Sequence, residues 1–147
     1  MKSKQGKDIS ICISEERGVL KKEVPAGEVT ERGNTGDGHS GDWDRQVTLL
    51  NYQSFLRAKE KHPELNLHSG SFAENIMIDG IDFTKIRPGS KLKLGESVIL
   101  QVSQIGKEDH PSVVTRTYGI SLLPYEGLFC KVIQGGKLTL GDTVSIL

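Results

Sequence analysis

From Lys91 onward the chain is a succession of short alternating apolar segments separated by glycine turns, and this pattern leaves few folds open. Val98, Leu100 and Val102 recur at every second position of Val98–Ile105 and share one face of a strand. Lys91–Leu94 precedes it across Gly95–Glu96, a good hairpin dipeptide. Residues 128–133, LFCKVI, form a further strand ending at Gly135–Gly136. Lys137–Leu140 and Thr143–Leu147 are expected to form a last hairpin around Gly141–Asp142. The segment KLKLGESV at 91–98 nearly repeats as KLTLGDTV at 137–144. Two copies are too few for a solenoid, so recurrent hairpin chemistry is the plainer reading. So many short strands need their edges covered, which closure into a barrel accomplishes.

The first half is less regular. Ile9, Ile11 and Ile13 alternate with Ser10, Cys12 and Ser14, predicting a half-buried strand over 9–14. Residues 18–24 predict another strand. Pro25–Trp43 carries five glycines and reads as a long loop. A strand is predicted over 46–50, and a helix over Ser54–Lys61 with Ser54 as its cap and Pro63 just beyond it. Asn75–Ile78 reads as a strand and Asp82–Ile86 as one helical turn. The expected fold is therefore mainly β: a closed or partly closed β-barrel of short strands with one main helix and a few helical turns. Residues 1–8 read as a flexible polar tail before a single domain over 9–147.

Charge and cysteine content narrow the function classes. Lys and Arg number 19, Asp and Glu 19, so there is no cationic surplus for nucleic acid. No apolar run approaches the roughly 20 residues of a membrane span. Two cysteines, Cys12 and Cys130, do not make a secreted disulfide framework. A cytoplasmic protein with reduced thiols is the expectation. Both cysteines sit in apolar strands and read as packing residues.

Four segments carry chemistry-bearing side chains. GNTGDGHSGDWDRQ, Gly33 to Gln46, gathers His39, Arg45 and Gln46 on glycine-rich backbone, where exposed N–H groups and cations suit an oxyanion or phosphate. A solvated loop with local Asp and Asn turns is the competing interpretation. GSFAENI, 70–76, sets Glu74 beside Asn75, a pair able to orient a polar ligand or anchor a loop. Gln104–Arg116 presents Lys107, Glu108, Asp109 and His110 after a core strand. PYEGLFCKV, 124–132, places Glu126 before another. The histidines and cysteines lack metal-ligand spacing, so no metal site is expected from the residues. No nucleophile elbow, P-loop or dinucleotide fingerprint is present.

In order and spacing these segments resemble the MOSC family, named for the C-terminal domain of molybdenum-cofactor sulfurases, in its short stand-alone bacterial form. The resemblance rests on GDGHSGDWDRQVTLL at 36–50, GSFAENI at 70–76, SKLKLGESVILQVSQIGKE at 90–108 and EGLFCKVIQGGKLTLGDTV at 126–144. It implies a β-barrel-like domain with a pocket lined by His39, Arg45 and Gln46 facing Glu74 and Asn75, with His110, Arg116 and Glu126 as further contributors. It implies a molybdopterin-type cofactor or another small anionic ligand, with pyridoxal phosphate and sulfur carriage in the same family context. A sulfur donor or a molybdoenzyme is the implied partner, with no nucleic acid and no membrane. Close relatives read Gly-Lys-Glu-Cys-His where this chain reads Gly106-Lys107-Glu108-Asp109-His110. Asp109 thus occupies the position of the family cysteine, and a carboxylate neither carries a persulfide nor acts as a soft molybdenum ligand. Three functions stay open at this point. The chain is a binding protein of molybdenum-cofactor or sulfur metabolism, a cofactor-dependent reductase of N-hydroxylated compounds, or a non-catalytic partner-binding domain with a vestigial pocket.

Overall fold

The structure is a computed structural model that describes residues 5–13, 22–30, 33–34, 46–107 and 112–147. In chain order its elements are β1 (Gln5–Ile13), β2 (Lys22–Val24), β3 (Ala26–Thr30), β4 (Gly33–Asn34), β5 (Val47–Asn51), α1 (Tyr52–Lys61), β6 (Ile76–Asp79), a 3-10 turn (Phe83–Lys85), β7 (Lys91–Leu94), β8 (Val98–Ile105), α2 (Val113–Tyr118), α3 (Leu123–Glu126), β9 (Leu128–Gln134), β10 (Gly136–Thr139) and β11 (Thr143–Ile146). Seven strands close a barrel in the order β11-β7-β8-β9-β5-β6-β1, with β1 returning to β11. β2 pairs with the far end of β1, and β10-β3-β4 form a separate small sheet. The barrel pairs are antiparallel except β5 with β6, whose parallel crossover contains α1. No helix among the described residues is long and apolar enough to cross a membrane.

The strands differ in how many faces they bury. Leu92 and Leu94 of β7 and Val98, Leu100 and Val102 of β8 fill the interior, while their alternates stay partly or fully exposed. β5, β6 and the first half of β9 are covered on both faces. Leu49, Ile76, Ile78, Leu128 and Cys130 point inward. Leu50, Met77 and Phe129 point outward into a second apolar layer with Phe55 of α1, Phe72 and Val114 of α2. Two-sided burial explains why these strands read as nearly continuous apolar runs. Cys12 and Cys130 are both fully buried, as packing residues should be.

Several local expectations are corrected. The polar start is not a free tail as far as residue 8: Gln5, Gly6 and Lys7 pair with Ser145, Val144 and Thr143 of β11. Backbone hydrogen bonding outweighs the polar side chains there, because β1 must reach β11 to close the barrel. The alternation of Ile9 and Ile11 does not hold either. The β1–β6 register slips between Asp8 and Ser10, which oppose Ile78 and Met77, so Ile9 is an extra, bulged residue. Ile11 then packs in the interior and Ile9 against the outer layer. α1 begins two residues earlier than Ser54 and is capped by Asn51, whose side chain accepts from Gln53 N at 3.0 Å. The expected loop over Pro25–Trp43 contains β3 and β4, and its residues 31–32 and 35–43 lie outside the described residues.

The expected final hairpin is not formed. β10 pairs with β3, and β11 with β7 and β1, so the two halves of KLTLGDTV join different sheets. Its near copy at 91–98 does fold as a hairpin, with Leu94 opposite Val98. Surroundings decide the difference. A Cβ on Gly135 would collide with the Val29 carbonyl, so this glycine lets β10 run flush against β3. The following turn is held by β1: Asp8 N donates to Asp142 O at 3.0 Å, and Gly141 N to Asp8 O at 3.0 Å.

Asp8 is a buried carboxylate in this closure. It is fully buried, and its Oδ1 accepts from Asp142 N at 2.9 Å while Oδ2 has no partner among the described residues. Burial pushes its pKa up to about 6, the Asp142 charge adds to the rise, and the backbone N–H groups of Gly141 and Asp142 hold it back. The folded state therefore binds the proton more tightly than the unfolded chain. Stability is fullest below the ordinary carboxylate value and falls as pH rises from about 4 to about 6, by about 3 kcal/mol at most. Urea unfolding measured across this range is expected to show that decline, and Asp8→Asn to flatten it. An identical slope in the variant would contradict the assignment.

Candidate functional site

Three of the motif residues lie where the chain enters β5 and β6. Gln46, 4% exposed, precedes β5, and its Oε1 accepts from Val132 N of β9 at 2.7 Å. The β5–β9 ladder ends at Val47 opposite Cys130, so the Gln46 side chain extends it by one step. Asn75 performs a similar task on two sides. Its Oδ1 accepts from Thr48 N at 3.0 Å while its own N donates to Thr48 O at 2.9 Å. Its Nδ2 donates to Cys12 O at 3.1 Å, and its O accepts from Cys12 N at 2.6 Å. One buried amide thus joins β6 to β5 and to β1.

Glu74 organises the loop in front of β6. It is fully buried, its Oε2 accepting from Gly70 N at 2.7 Å and its Oε1 from Phe72 N at 3.2 Å. Between them Ala73 adopts a left-handed φ of 64°, costly for a residue with a Cβ and sustained by the bonds around it. The loop is also tied to α2: Ser71 Oγ donates to Tyr118 Oη at 3.1 Å, and the Phe72 and Tyr118 rings lie 6.5 Å apart.

α2 follows directly on residues 108–111. On their other side Gly106 N donates to Gly127 O at 2.8 Å and Lys107 N to Pro124 O at 3.0 Å. Lys107 Nζ stands 5.7 Å from the centre of the Phe129 ring, in the outer layer that also holds Phe72. Glu74, Asn75 and the anchors of the 108–111 segment therefore belong to one face of the barrel. Residue 45 leads straight into Gln46 at the same end of β5. His39, Arg45, Asp109 and His110 themselves lie outside the described residues. Arg116 is exposed on α2.

Glu126, whose neighbours Pro124 and Gly127 anchor Lys107 and Gly106, turns its side chain to α1. It ends α3, where its Oε1 accepts from Ser54 Oγ of α1 at 2.8 Å and lies 3.6 Å from Arg57 Nη2. These partners follow Asn51, five residues along β5 from Gln46, a span of roughly 16 Å. Arg57, Ser71 and Tyr118 were not singled out from sequence, and Ser54 only as a helix cap. Ser71 lies inside a motif already noted, but no local pattern pairs Tyr118 with it.

The thiols offer no chemistry here. Both cysteines of the chain are buried, and burial drives the Cys130 thiol far above its ordinary pKa. Among the described residues no group of three His, Cys, Asp or Glu side chains could hold a metal ion.

A barrel with these four motifs in this order defines a class, and the comparison with known families agrees. The MOSC domain model matches residues 36–145, and the chain belongs to that family. In fold it is similar to the YuaD protein of Bacillus subtilis, at a TM-score of 0.77 and 16% identity over 97% of this chain and 95% of that one. It is similar as well to YiiM of Geobacillus stearothermophilus, at 0.72 and 17% over 95% and 73%. YiiM of Escherichia coli gives 0.68 and 21% over 96% and 69%. Among curated proteins, none matches this chain.

The bonding of Asn75 makes a direct prediction. Asn75→Ala leaves Thr48 N and Cys12 O without these buried partners and should cost about 2–4 kcal/mol. The urea midpoint should fall at unchanged slope. Asn75→Asp should also destabilise, since the amide donor to Cys12 O is lost.

Proposed function

We propose that this chain is a MOSC-domain binding protein of molybdenum-cofactor or sulfur metabolism that works without the family's cysteine chemistry. Its ligand is a molybdopterin-type or similar small anion. The observation that carries this reading is the convergence on one barrel face: the 70–75 loop is bonded both to β5, which follows the His39–Arg45 segment, and to α2, which follows the Asp109 segment. His39 and Arg45 supply charge and donors to the anionic group, with His110 and Arg116 at its rim. Gln46, Glu74 and Asn75 have side-chain oxygens engaged by backbone N–H groups, so they act as positioning residues rather than direct ligands.

The fit to molybdenum itself is poor. A soft thiolate is the ligand that Asp109 replaces, and Cys12 and Cys130 are enclosed in the fold. A bound pterin would bring the redox chemistry of its own metal, but these residues offer no thiolate to carry a persulfide. The function proposed is therefore recognition of the anion in the cytosol, not transfer of sulfur.

Two measurements test this. Titration of the purified protein with molybdopterin should show saturable binding, weakened at least roughly tenfold by Arg45→Ala. Absence of binding would remove the proposal. Mass spectrometry after incubation with a persulfide donor should find no adduct on the wild type and an adduct on Asp109→Cys. Loading of the wild-type protein would show that a thiol remains in use.

A further inference from the structure

A cleft opens at the Asn51 end of β5, lined by Glu126 and by Ile105, the residue before Gly106. It has a volume of about 280 Å³, just under the usual range for drug-sized ligands, so its occupant is small. One wall is apolar, made by Phe83, Ile105 and Leu128, and Ile105 is 42% exposed. The other wall carries Ser54, Arg57 and Glu126.

The charged wall is held in place but not used up. Ser54 is 3% exposed and donates to Glu126 Oε1 at 2.8 Å while accepting from Arg57 Nη2 at 3.2 Å. This buried hydroxyl links the two charges, whose side chains are 66% and 41% exposed. Their direct separation is 3.6 Å and involves one guanidinium nitrogen, not a two-pronged pair. Arg57 Nε and Nη1 and Glu126 Oε2 make no hydrogen bond among the described residues. The cleft thus presents an open donor set and an open acceptor side by side, against an apolar wall.

We propose that this cleft binds a small zwitterion with an apolar side chain, the chemistry of a free aliphatic α-amino acid. Its carboxylate meets Arg57, its ammonium meets Glu126, and its side chain covers Phe83, Ile105 and Leu128. A simple anion or cation would satisfy one wall charge and face the other as a like charge. A zwitterion satisfies both.

The test is amide chemical-shift titration of the full chain with L-leucine, 3-methylbutylamine, which lacks the carboxylate, and 4-methylpentanoate, which lacks the ammonium. Leucine should give saturable shifts at Thr84, Ile105 and Glu126. Each analogue should bind at least roughly fivefold more weakly, as expected for loss of one partly exposed ion pair. Arg57→Gln should abolish the advantage of leucine over the amine, and Glu126→Gln its advantage over the carboxylate. No saturable shift at these amides, shifts confined elsewhere, or analogues that match leucine would overturn the proposal. The analogue comparison on the wild-type protein decides it even if a variant fails to fold.

Discussion

The barrel closes through β1, and most of the molecule depends on that closure. Its first residues bond β11, its middle bonds β6, and its last residues bond β2. Without β1, the facing edges of β6 and β11 would both be open, each a row of unpaired backbone groups. One strand serves both edges because it is nine residues long and bulged at Ile9. The bulge moves Ile9 to the outer layer and keeps Ile11 in the interior, so β1 packs apolar side chains on both sides of the wall.

The motif face is built on the same strand. Cys12, near the end of β1, bonds Asn75 through both of its backbone groups, and Asn75 bonds Thr48 through its backbone N–H and its side-chain oxygen. Among the described residues, the side chains of Gln46, Glu74 and Asn75 are thus engaged in holding strands and a loop together. Gln46 and Asn75 act where the backbone ladders stop, and Glu74 shapes the loop before β6. Buried polar groups of this kind fix a unique arrangement, because leaving any one unpaired is costly.

Much of this was legible. β7 and β8 have the predicted bounds, since each has one interior face and a clean period of two. The motif order identified the family. Other features escaped local reading. α2 is announced by a capping box of Ser112 and Thr115 and a left-handed Gly119, a signal present in the sequence but too short to stand out beside the strands. The contact of Glu126 with Ser54 and Arg57 escaped because sequence spacing does not show which helix a short turn packs against.

By itself, the sequence determined the class of fold, the motif segments and the absence of a cysteine at position 109. Those properties follow from local periodicity, turn chemistry and residue identity, none of which needs a partner strand. Tertiary structure alone decided the pairing. KLKLGESV and KLTLGDTV have nearly the same residues, yet one folds on itself and the other divides between two sheets. The backbone groups of a strand bond whichever edge is open beside it, and Asp8 with Gly135 settles which edge that is at the end of the chain. The same long-range bonding placed Asn75 between three strands and set Glu126 against Ser54 and Arg57.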